Sequence, residues 1–166
     1  MAANQRSQIT MTEDEMIAFL NSSRTMTMAT NGPSGHPHVV AMWFAVVDHQ
    51  IWFETKAKSQ KVKNLRRDPR ITCSIEAGKT YDQLRGISFE GTAEIIDDPD
   101  ALFRVGVSVW NRYQGEYSDE VKPLVDSMLH NRVAVRVDVS RARTWDHRKL
   151  GLPAMPIAGS TAGEPT

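Results

Sequence analysis

The pattern of apolar and polar positions predicts a chain built mainly of short strands. Residues 86–96 and 132–139 alternate apolar with polar side chains, as strands do when one face is covered and the other meets water. Residues 37–47 are apolar at both sets of alternating positions, which predicts a strand covered on both sides. Three further strands are predicted at residues 25–30, 51–55 and 70–76.

Helix and turn signals separate these strands. Thr12 and Glu15 form a capping-box pattern ahead of an apolar run, which predicts a short helix. Asn-Gly-Pro-Ser-Gly at residues 31–35 is typical of a tight reversal. Asp-His-Gln at residues 48–50 is expected to join its flanking strands as an antiparallel hairpin. Residues 97–130 are predicted to be mainly helical.

The predicted elements indicate a mainly β fold with peripheral helices. Six antiparallel strands favour a small barrel, because closure removes the edges that so many short strands would otherwise expose. The length of 166 residues fits one domain. We therefore expect residues 11–150 to form the barrel domain, residues 1–10 a flexible amino terminus and residues 151–166 a flexible tail.

Composition narrows the classes of function. Lysine plus arginine number 20 and aspartate plus glutamate also 20, so no overall field attracts nucleic acid, which is not an expected partner. No apolar run is long enough to favour membrane insertion, and the single cysteine, Cys73, fits a reducing, cytoplasmic setting. His36 and His38 would share a strand face, yet no acid or cysteine nearby completes a metal site, so no metal is predicted.

One segment departs from this charge balance. Residues 56–70 carry seven lysines and arginines against one acid, Asp68. Ser59 is expected to begin a short helix that stops at an Asp-Pro pair. Helix amino termini attract anions, and Thr55, Ser59 and Lys61 would add hydroxyls and charge. The segment therefore predicts a phosphate site, since it lacks the aromatic side chains that stack nucleic-acid bases.

Several motifs in this chain occur together in one known family. Lys-x-x-Asn-Leu-x-x-Asp-Pro-Arg at residues 61–70 is the most specific of them. It follows Gly-His-Pro-His-Val-Val-Ala-Met-Trp-Phe at 35–44 and Ile-Trp-Phe-Glu-Thr at 51–55, and precedes Phe-Glu-Gly-Thr-Ala-Glu at 89–94 and Thr-Trp-Asp-His-Arg at 144–148. With these motifs the chain resembles the pyridoxamine 5'-phosphate oxidase-like split β-barrel family, in its branch of deazaflavin (coenzyme F420)-dependent oxidoreductases. The resemblance implies an FMN-binding-like, six-stranded split barrel that forms a homodimer.

The same resemblance implies where a cofactor binds. The ring system would lie along the strand that begins near His38, in a groove between two subunits. The phosphate would lie at the basic helix, and Trp145 and Arg148 would reach over from the second subunit. The implied cofactor-binding residues are His38, Val39, Val40, Met42, Trp43, Thr55, Lys58, Ser59, Lys61, Asn64, Trp145 and Arg148.

The implied activity is hydride transfer between coenzyme F420 and an unsaturated or quinone-like small-molecule acceptor, with the cofactor carrying the chemistry. FMN is the alternative cofactor, because it also has a phosphate. The number of lysines and arginines in residues 56–70 favours F420, because its tail carries several anions. The candidates to bind this tail are Lys63, Arg66, Arg67 and Arg70. A third hypothesis is a non-catalytic carrier of F420, flavin or haem. No catalytic residue is assigned, and His38 and solvent are the candidate proton sources.

Overall fold

The computed structural model describes residues 5–157 as one antiparallel sheet surrounded by helices. The strands are β1 Met26–Asn31, β2 Pro37–Met42, β3 Ala45–Val47, β4 Gln50–Lys56, β5 Arg70–Ala77, β6 Arg85–Ile96 and β7 Arg132–Asp146. The α-helices are α1 Gln5–Gln8, α2 Glu13–Ser22, α3 Gln60–Arg67, α4 Pro99–Tyr113 and α5 Lys122–Leu129. Short 3₁₀ helices lie at Tyr81–Gln83, Asp119–Val121 and His147–Leu150.

The strand order is β2-β1-β5-β6-β7-β4-β3, and every neighbouring pair is antiparallel. The two edge strands, β2 and β3, are consecutive in the chain and are separated only by Trp43 and Phe44. The sheet must therefore curl until its two edges meet at these residues. The result is a half-barrel with a split at the Trp43–Phe44 step.

The prediction of six strands was wrong, because residues 37–47 form two strands instead of one. The break lies at Phe44, whose side chain is fully buried in the barrel core. The backbone N–H of Phe44 leaves the sheet ladder and donates to the hydroxyl of Tyr113 at 3.1 Å. The same segment was predicted to be covered on both sides, yet Val39 and Trp43 are 56% and 48% exposed in the single chain.

The last strand was also predicted too short, since β7 continues to Asp146. A register shift at Glu90/Gly91 of β6 interrupts the regular ladder near the predicted end of β7. Beyond it, outward polar side chains replace the valine alternation, and Arg143 pairs with Glu90 at 2.7 Å. The second half of β7 is therefore held as a strand by pairs of side chains across the sheet, and not by an alternation of apolar residues that the sequence would show.

The helix signals are confirmed. Thr12 caps α2, and its hydroxyl and the carboxylate of Glu15 form the reciprocal capping box. The predicted helical segment is divided into α4 and α5. None of the described helices is both long and apolar enough to span a membrane.

Two apolar clusters hold the sheet and helices together. The larger fills the inside of the curled sheet, and α3 contributes Val62 and Leu65 to it. The smaller lies on the outer face under α4, where Trp52 packs with Val105 and Val109. The basic helix is thus anchored by its apolar residues, which leaves Lys63, Arg66 and Arg67 exposed and Lys61 half-buried.

The predicted domain limits stay a prediction. Residues 5–8 form α1, and the carbonyl of Ile9 accepts a hydrogen bond from the Asp146 backbone at 2.7 Å. Residues 151–157 have no regular secondary structure, and the Met155 backbone donates to Asp82 at 3.3 Å. The outer parts of both predicted termini, residues 1–4 and 158–166, lie outside the described residues.

Candidate functional site

The structure brings Thr55, Ser59 and Lys61 together where β4 ends and α3 begins. Thr55 lies near the end of β4, and a short turn leads to Ser59, the N-cap of α3. Lys61 Nζ donates to Thr55 Oγ1 at 3.2 Å. Two of the predicted phosphate-binding residues are therefore in direct contact, and the third lies at the helix start beside them.

Ser59 has an unusual environment for an N-cap residue. A serine in this position normally accepts a hydrogen bond from the second or third backbone N–H of its helix. Here the side chain makes no such bond, and Ser59 Oγ is buried without a hydrogen-bond partner among the described residues. The first N–H groups of any α-helix also lack intrahelical partners. A buried hydroxyl and free donors at one helix start fit an oxyanion such as phosphate.

Lys61 and Arg132 bring two positive charges to the place where β4 ends and α3 begins. Partial burial lowers the pKa of the Lys61 ammonium, and the nearby Arg132 guanidinium lowers it further. The carboxylate of Glu54 acts in the opposite direction on the same pKa. An arriving anion would relieve the repulsion between the two cations.

The other cations of the basic segment divide into two groups. Arg70 is paired with Asp68 at 2.6 Å, and Arg67 donates to the backbone carbonyl of Asn31. These two arginines fasten the end of α3 to the sheet, and their expected contact with an anionic tail stays a prediction. Among the described residues, the side chains of Lys56, Lys58, Lys63 and Arg66 are exposed and make no hydrogen bond or ion pair. These four residues keep their charge available.

Asn64 lies behind the site. Its side chain is fully buried, donates through Nδ2 to Thr30 Oγ1 at 3.0 Å and accepts from Gln60 at 2.8 Å. These contacts hold α3 against β1. The observed geometry therefore gives Asn64 a positioning role for the helix.

The residues of β2 divide by alternation into two faces. His38, Val40 and Met42 are half-buried, and Val40 and Met42 pack against the barrel core. Val39 points outward, as does Trp43 just beyond the strand. His38 Nδ1 is a second buried polar atom without a partner among the described residues. The outward face is an apolar surface beside the split.

Trp43 is held by an aromatic neighbour. Its ring stacks on Tyr113 of α4, with ring centroids 4.2 Å apart and planes 7° from parallel. The Tyr113 hydroxyl lies in the split, donating to the Arg24 carbonyl and accepting from the Phe44 backbone. One face of Trp43 is thus fixed and the rest of the ring meets solvent.

Two residues near this surface were missed by the sequence analysis. Glu54 on β4 is 7% exposed and its Oε2 accepts from Arg132 Nη1 at 2.5 Å. Burial raises the pKa of Glu54, while Arg132 and then Lys61 act to lower it. The sequence does contain one indication of Glu54, because it is an acidic residue in the predicted strand 51–55, whose other residues are also buried. Its partner could be found only from the pairing of β4 with β7.

Trp145 and Arg148 are not brought to this corner within one chain. Trp145 is near the end of β7, whereas Arg132 begins that strand. The Trp145 ring crosses Gly86 so closely that a Cβ there would lie 2.3 Å from it. Arg148 is paired with Asp146 at 2.6 Å, and this bond lowers the pKa of the Asp146 carboxyl.

The remaining candidate chemistry is sparse. Within residues 5–157, no group of three histidine, cysteine, aspartate or glutamate side chains is arranged to hold a metal ion. Cys73 is buried in the barrel core, and burial raises the pKa of its thiol to about 12. A thiol with this pKa is a poor nucleophile at neutral pH.

The curled antiparallel sheet, closed at one corner by a basic helix, defines the pyridoxamine-phosphate-oxidase-like class of fold. The sequence profile described as pyridoxamine 5'-phosphate oxidase matches residues 12–146, and the chain belongs to this family. A comparison with curated proteins gives no match.

Solved structures of similar proteins agree with this assignment. A conserved hypothetical protein from Mycobacterium tuberculosis is 62% identical and superimposes with a TM-score of 0.92, over 96% of this chain and 100% of that one. An F420 reductase is 25% identical, with a TM-score of 0.57 over 75% of this chain and 93% of the other. The haem storage protein HutZ of Vibrio cholerae shares the fold at 16% identity and a TM-score of 0.63, over 81% and 93% of the two chains.

Proposed function

We propose that this protein is a coenzyme F420-dependent oxidoreductase that transfers a hydride between the deazaflavin and an unsaturated or quinone-like organic molecule. The observation that carries the proposal is the unpartnered Ser59 hydroxyl at the start of α3, next to the Lys61–Thr55 contact. A buried hydroxyl without a partner is unfavourable, and a phosphate oxygen would satisfy it together with the free N–H groups of the helix.

The distribution of charge favours F420 over FMN. Both cofactors carry a phosphate that suits Ser59 and Lys61, but F420 also carries several carboxylates on its tail. Lys58, Lys63 and Arg66 are exposed cations, without a recorded polar partner in the described chain, that can attract such a tail. The likeness to an F420 reductase at 25% identity supports the same choice.

The ring of the cofactor would lie along β2. His38, Val39, Val40, Met42 and Trp43 form this edge of the sheet, and its outward face is apolar and exposed. The bound coenzyme supplies the hydride chemistry, and the chain supplies position and shape. Trp43, fixed by its stacking on Tyr113, would limit how the acceptor approaches the ring.

We further propose that the site is completed in a homodimer. Val39 and Trp43 expose an apolar surface beside the split, and burying it against a second copy is favourable. Trp145 near the end of β7 and Arg148 in the 3₁₀ helix that follows it lie too far from α3 of their own chain to reach it, so they would act across the contact. Light scattering on the purified protein tests this: a monomer at micromolar concentration contradicts it.

FMN is the second candidate cofactor, because its single phosphate would suit the same site at the start of α3. The two hypotheses are tested by titrating the protein with F420 and FMN side by side, followed by fluorescence. Reduced F420 is then mixed with the protein and a quinone such as menadione, and its oxidation is followed by absorbance.

Tight F420 binding with accelerated oxidation supports the proposed function. A purified protein with a yellow flavin spectrum favours FMN. F420 binding without acceleration by any acceptor favours a carrier, and a Soret band favours haem.

A further inference from the structure

A cavity of about 290 Å³ opens beside the proposed ring-binding strand. It lies between the end of β2, the outer faces of β4 and β7, and α5. Its lining consists of Ala41, Met42, Trp43, Glu54, Met128 and Arg132. Four of these residues are apolar, so Glu54 and Arg132 give the cavity its polar chemistry. Ligand sites commonly have this composition, with apolar walls and a few placed polar groups.

Arg132 has donor capacity that the chain does not use. A guanidinium carries five N–H donors in a planar fork. In the described structure the recorded hydrogen bond of this side chain is the one from Nη1 to Glu54 Oε2, at 2.5 Å. The Arg132 side chain is 28% exposed, so its remaining donors are accessible from the cavity.

Glu54 fixes the direction of that fork. Its carboxylate is almost completely buried on β4, next to the start of β7 where Arg132 lies. A buried carboxylate requires a charged or hydrogen-bonding partner, so this contact is not easily given up. The pair holds the guanidinium at the cavity wall instead of leaving it free in solvent.

The local charge balance favours one further anion. Arg132 and Lys61 are close enough to repel each other, and Glu54 is the carboxylate that acts on both. Two cations and one anion leave a net positive charge at this corner. An oxyanion in the cavity would complete the balance and use the free donors of Arg132.

We propose that Arg132, positioned by Glu54, is an oxyanion-binding residue of this cavity. Its ligand would be a phosphate of the coenzyme or the carboxylate of an acidic, planar acceptor whose ring meets the open part of Trp43. The inference deepens the proposed function, because it places an anion-recognition group next to the strand proposed to hold the cofactor ring. The geometry also makes Glu54 a positioning residue, since it acts through Arg132.

The test uses binding of simple oxyanions to the protein without added coenzyme. Sodium benzoate and sodium phosphate are titrated separately at constant ionic strength, and tryptophan emission reports binding. The variant is Glu54→Gln combined with Arg132→Gln, which removes both charges without leaving a buried carboxylate unpaired. The control is Glu90→Gln combined with Arg143→Gln, which removes another ion pair, at 2.7 Å, elsewhere on the same sheet.

We expect the Glu54/Arg132 variant to bind at least one oxyanion about tenfold more weakly or worse, and the control pair to bind both as the parent protein does. Weaker binding of benzoate alone assigns Arg132 to the acceptor. Weaker binding of phosphate assigns it to the coenzyme. Arg132→Lys keeps the charge but loses the planar fork, and we expect it to recover only part of the lost affinity.

Two results would overturn the inference. In one, the Glu54/Arg132 variant binds both oxyanions as tightly as the parent protein. In the other, the parent protein binds neither. These titrations contain no coenzyme, so they can be interpreted whether or not F420 binds. A failure of F420 to bind would contradict the proposed function and would not affect this test.

Discussion

Lys61 Nζ donates a hydrogen bond to Thr55 Oγ1 over 3.2 Å, joining the first turn of α3 to the end of β4. This contact keeps a half-buried ammonium next to the unpartnered hydroxyl of Ser59. The position of the charge is set by a strand and a helix that are both anchored in the barrel core. The account of an anion site depends on this arrangement.

Replacement of Lys61 is therefore expected to weaken coenzyme binding. Lys61→Ala should reduce the affinity for F420 by about 1.5–3 kcal/mol, the range for a hydrogen bond to a charged group. A fluorescence titration measures the change. Lys122→Ala is the matched control, since Lys122 is an exposed lysine on α5, outside the basic segment, and should leave the affinity unchanged. Equal losses in the two variants would argue against a specific role for Lys61.

The buried Asn64 is expected to contribute to stability through Thr30. Asn64→Ala removes the bond at 3.0 Å and leaves the Thr30 hydroxyl buried without its donor, so we expect a loss of about 1–3 kcal/mol in the free energy of unfolding. Urea unfolding of Asn64→Ala, Thr30→Val and the double variant gives the coupling between them. If the losses of the two single variants add up to that of the double variant, the hydrogen bond contributes nothing. Asn21→Ala, on the exposed face of α2, is the control.

Tyr113 is expected to stabilise the split between β2 and β3. Tyr113→Phe keeps the ring on Trp43 but removes the acceptor of the Phe44 N–H, which should lower stability by about 1–3 kcal/mol. Tyr117→Phe is the control, because Tyr117 makes an edge contact with Phe103 and its hydroxyl has no recorded hydrogen bond in the described chain. Thermal unfolding gives the melting temperature of each variant. Equal melting temperatures for Tyr113→Phe and Tyr117→Phe would contradict the role given to the Tyr113 hydroxyl.

Loss of Arg132 alone is expected to destabilise the protein in a pH-dependent manner. In Arg132→Ala the Glu54 carboxylate stays buried without its cation, which should cost about 3–5 kcal/mol near neutral pH. Burial already raises the pKa of Glu54, and without Arg132 the folded-state pKa rises further above that of the unfolded chain. The folded state then binds the proton more tightly, so the deficit shrinks as the pH falls through the folded-state pKa.

Denaturant unfolding at a series of pH values from about 4 to 8 measures this deficit against the parent protein. The Glu54→Gln, Arg132→Ala double variant should lose most of the pH dependence, because it has no carboxyl at this position. A deficit that is constant with pH, or that grows toward acid, would contradict the assignment to Glu54.

Cys73 is expected to be unreactive in the folded protein. Its thiol is buried in the core and has a pKa of about 12, so almost no thiolate exists at neutral pH. Ellman's reagent should therefore label Cys73 only after unfolding in guanidinium chloride. Rapid labelling of the native protein would show that the barrel opens at β5.

The parts of the fold that local sequence determines were predictable. The capping box of Thr12 and Glu15 lies within one helical turn, and the structure has that cap. The hairpin between β3 and β4 turns at Asp48 and His49, which both adopt positive φ, as tight hairpin turns require. In each case the determining contacts are between neighbours in the chain.

The features that escaped prediction depend on contacts between distant residues. At the split, the buried Phe44 donates its backbone N–H to Tyr113, which belongs to a helix that follows most of the strands. The Glu54–Arg132 pair joins residues that only the pairing of β4 with β7 brings together. Apolar periodicity indicates that a segment is a strand, but it does not show which distant side chain interrupts or neutralises it.

The site was predictable in part. Thr55, Ser59 and Lys61 are close in sequence, so the chemistry of the helix start could be read from them. Arg67 and Arg70, two of the cations expected to bind an anionic tail, also make contacts that hold the fold together, which the sequence did not indicate. Only their contacts with Asn31 and Asp68 distinguish them from the cations that have no recorded partner.

The most direct test of the central claim compares F420 with its deazaflavin precursor that lacks the phosphate and tail. Both are titrated into the purified protein and into Lys61→Ala, and binding is followed by coenzyme fluorescence. We predict that the parent protein binds F420 at least about tenfold more tightly than the precursor, and that Lys61→Ala reduces this preference. Equal affinity of the parent protein for both compounds, or no binding of F420, would contradict an anion site at the start of α3.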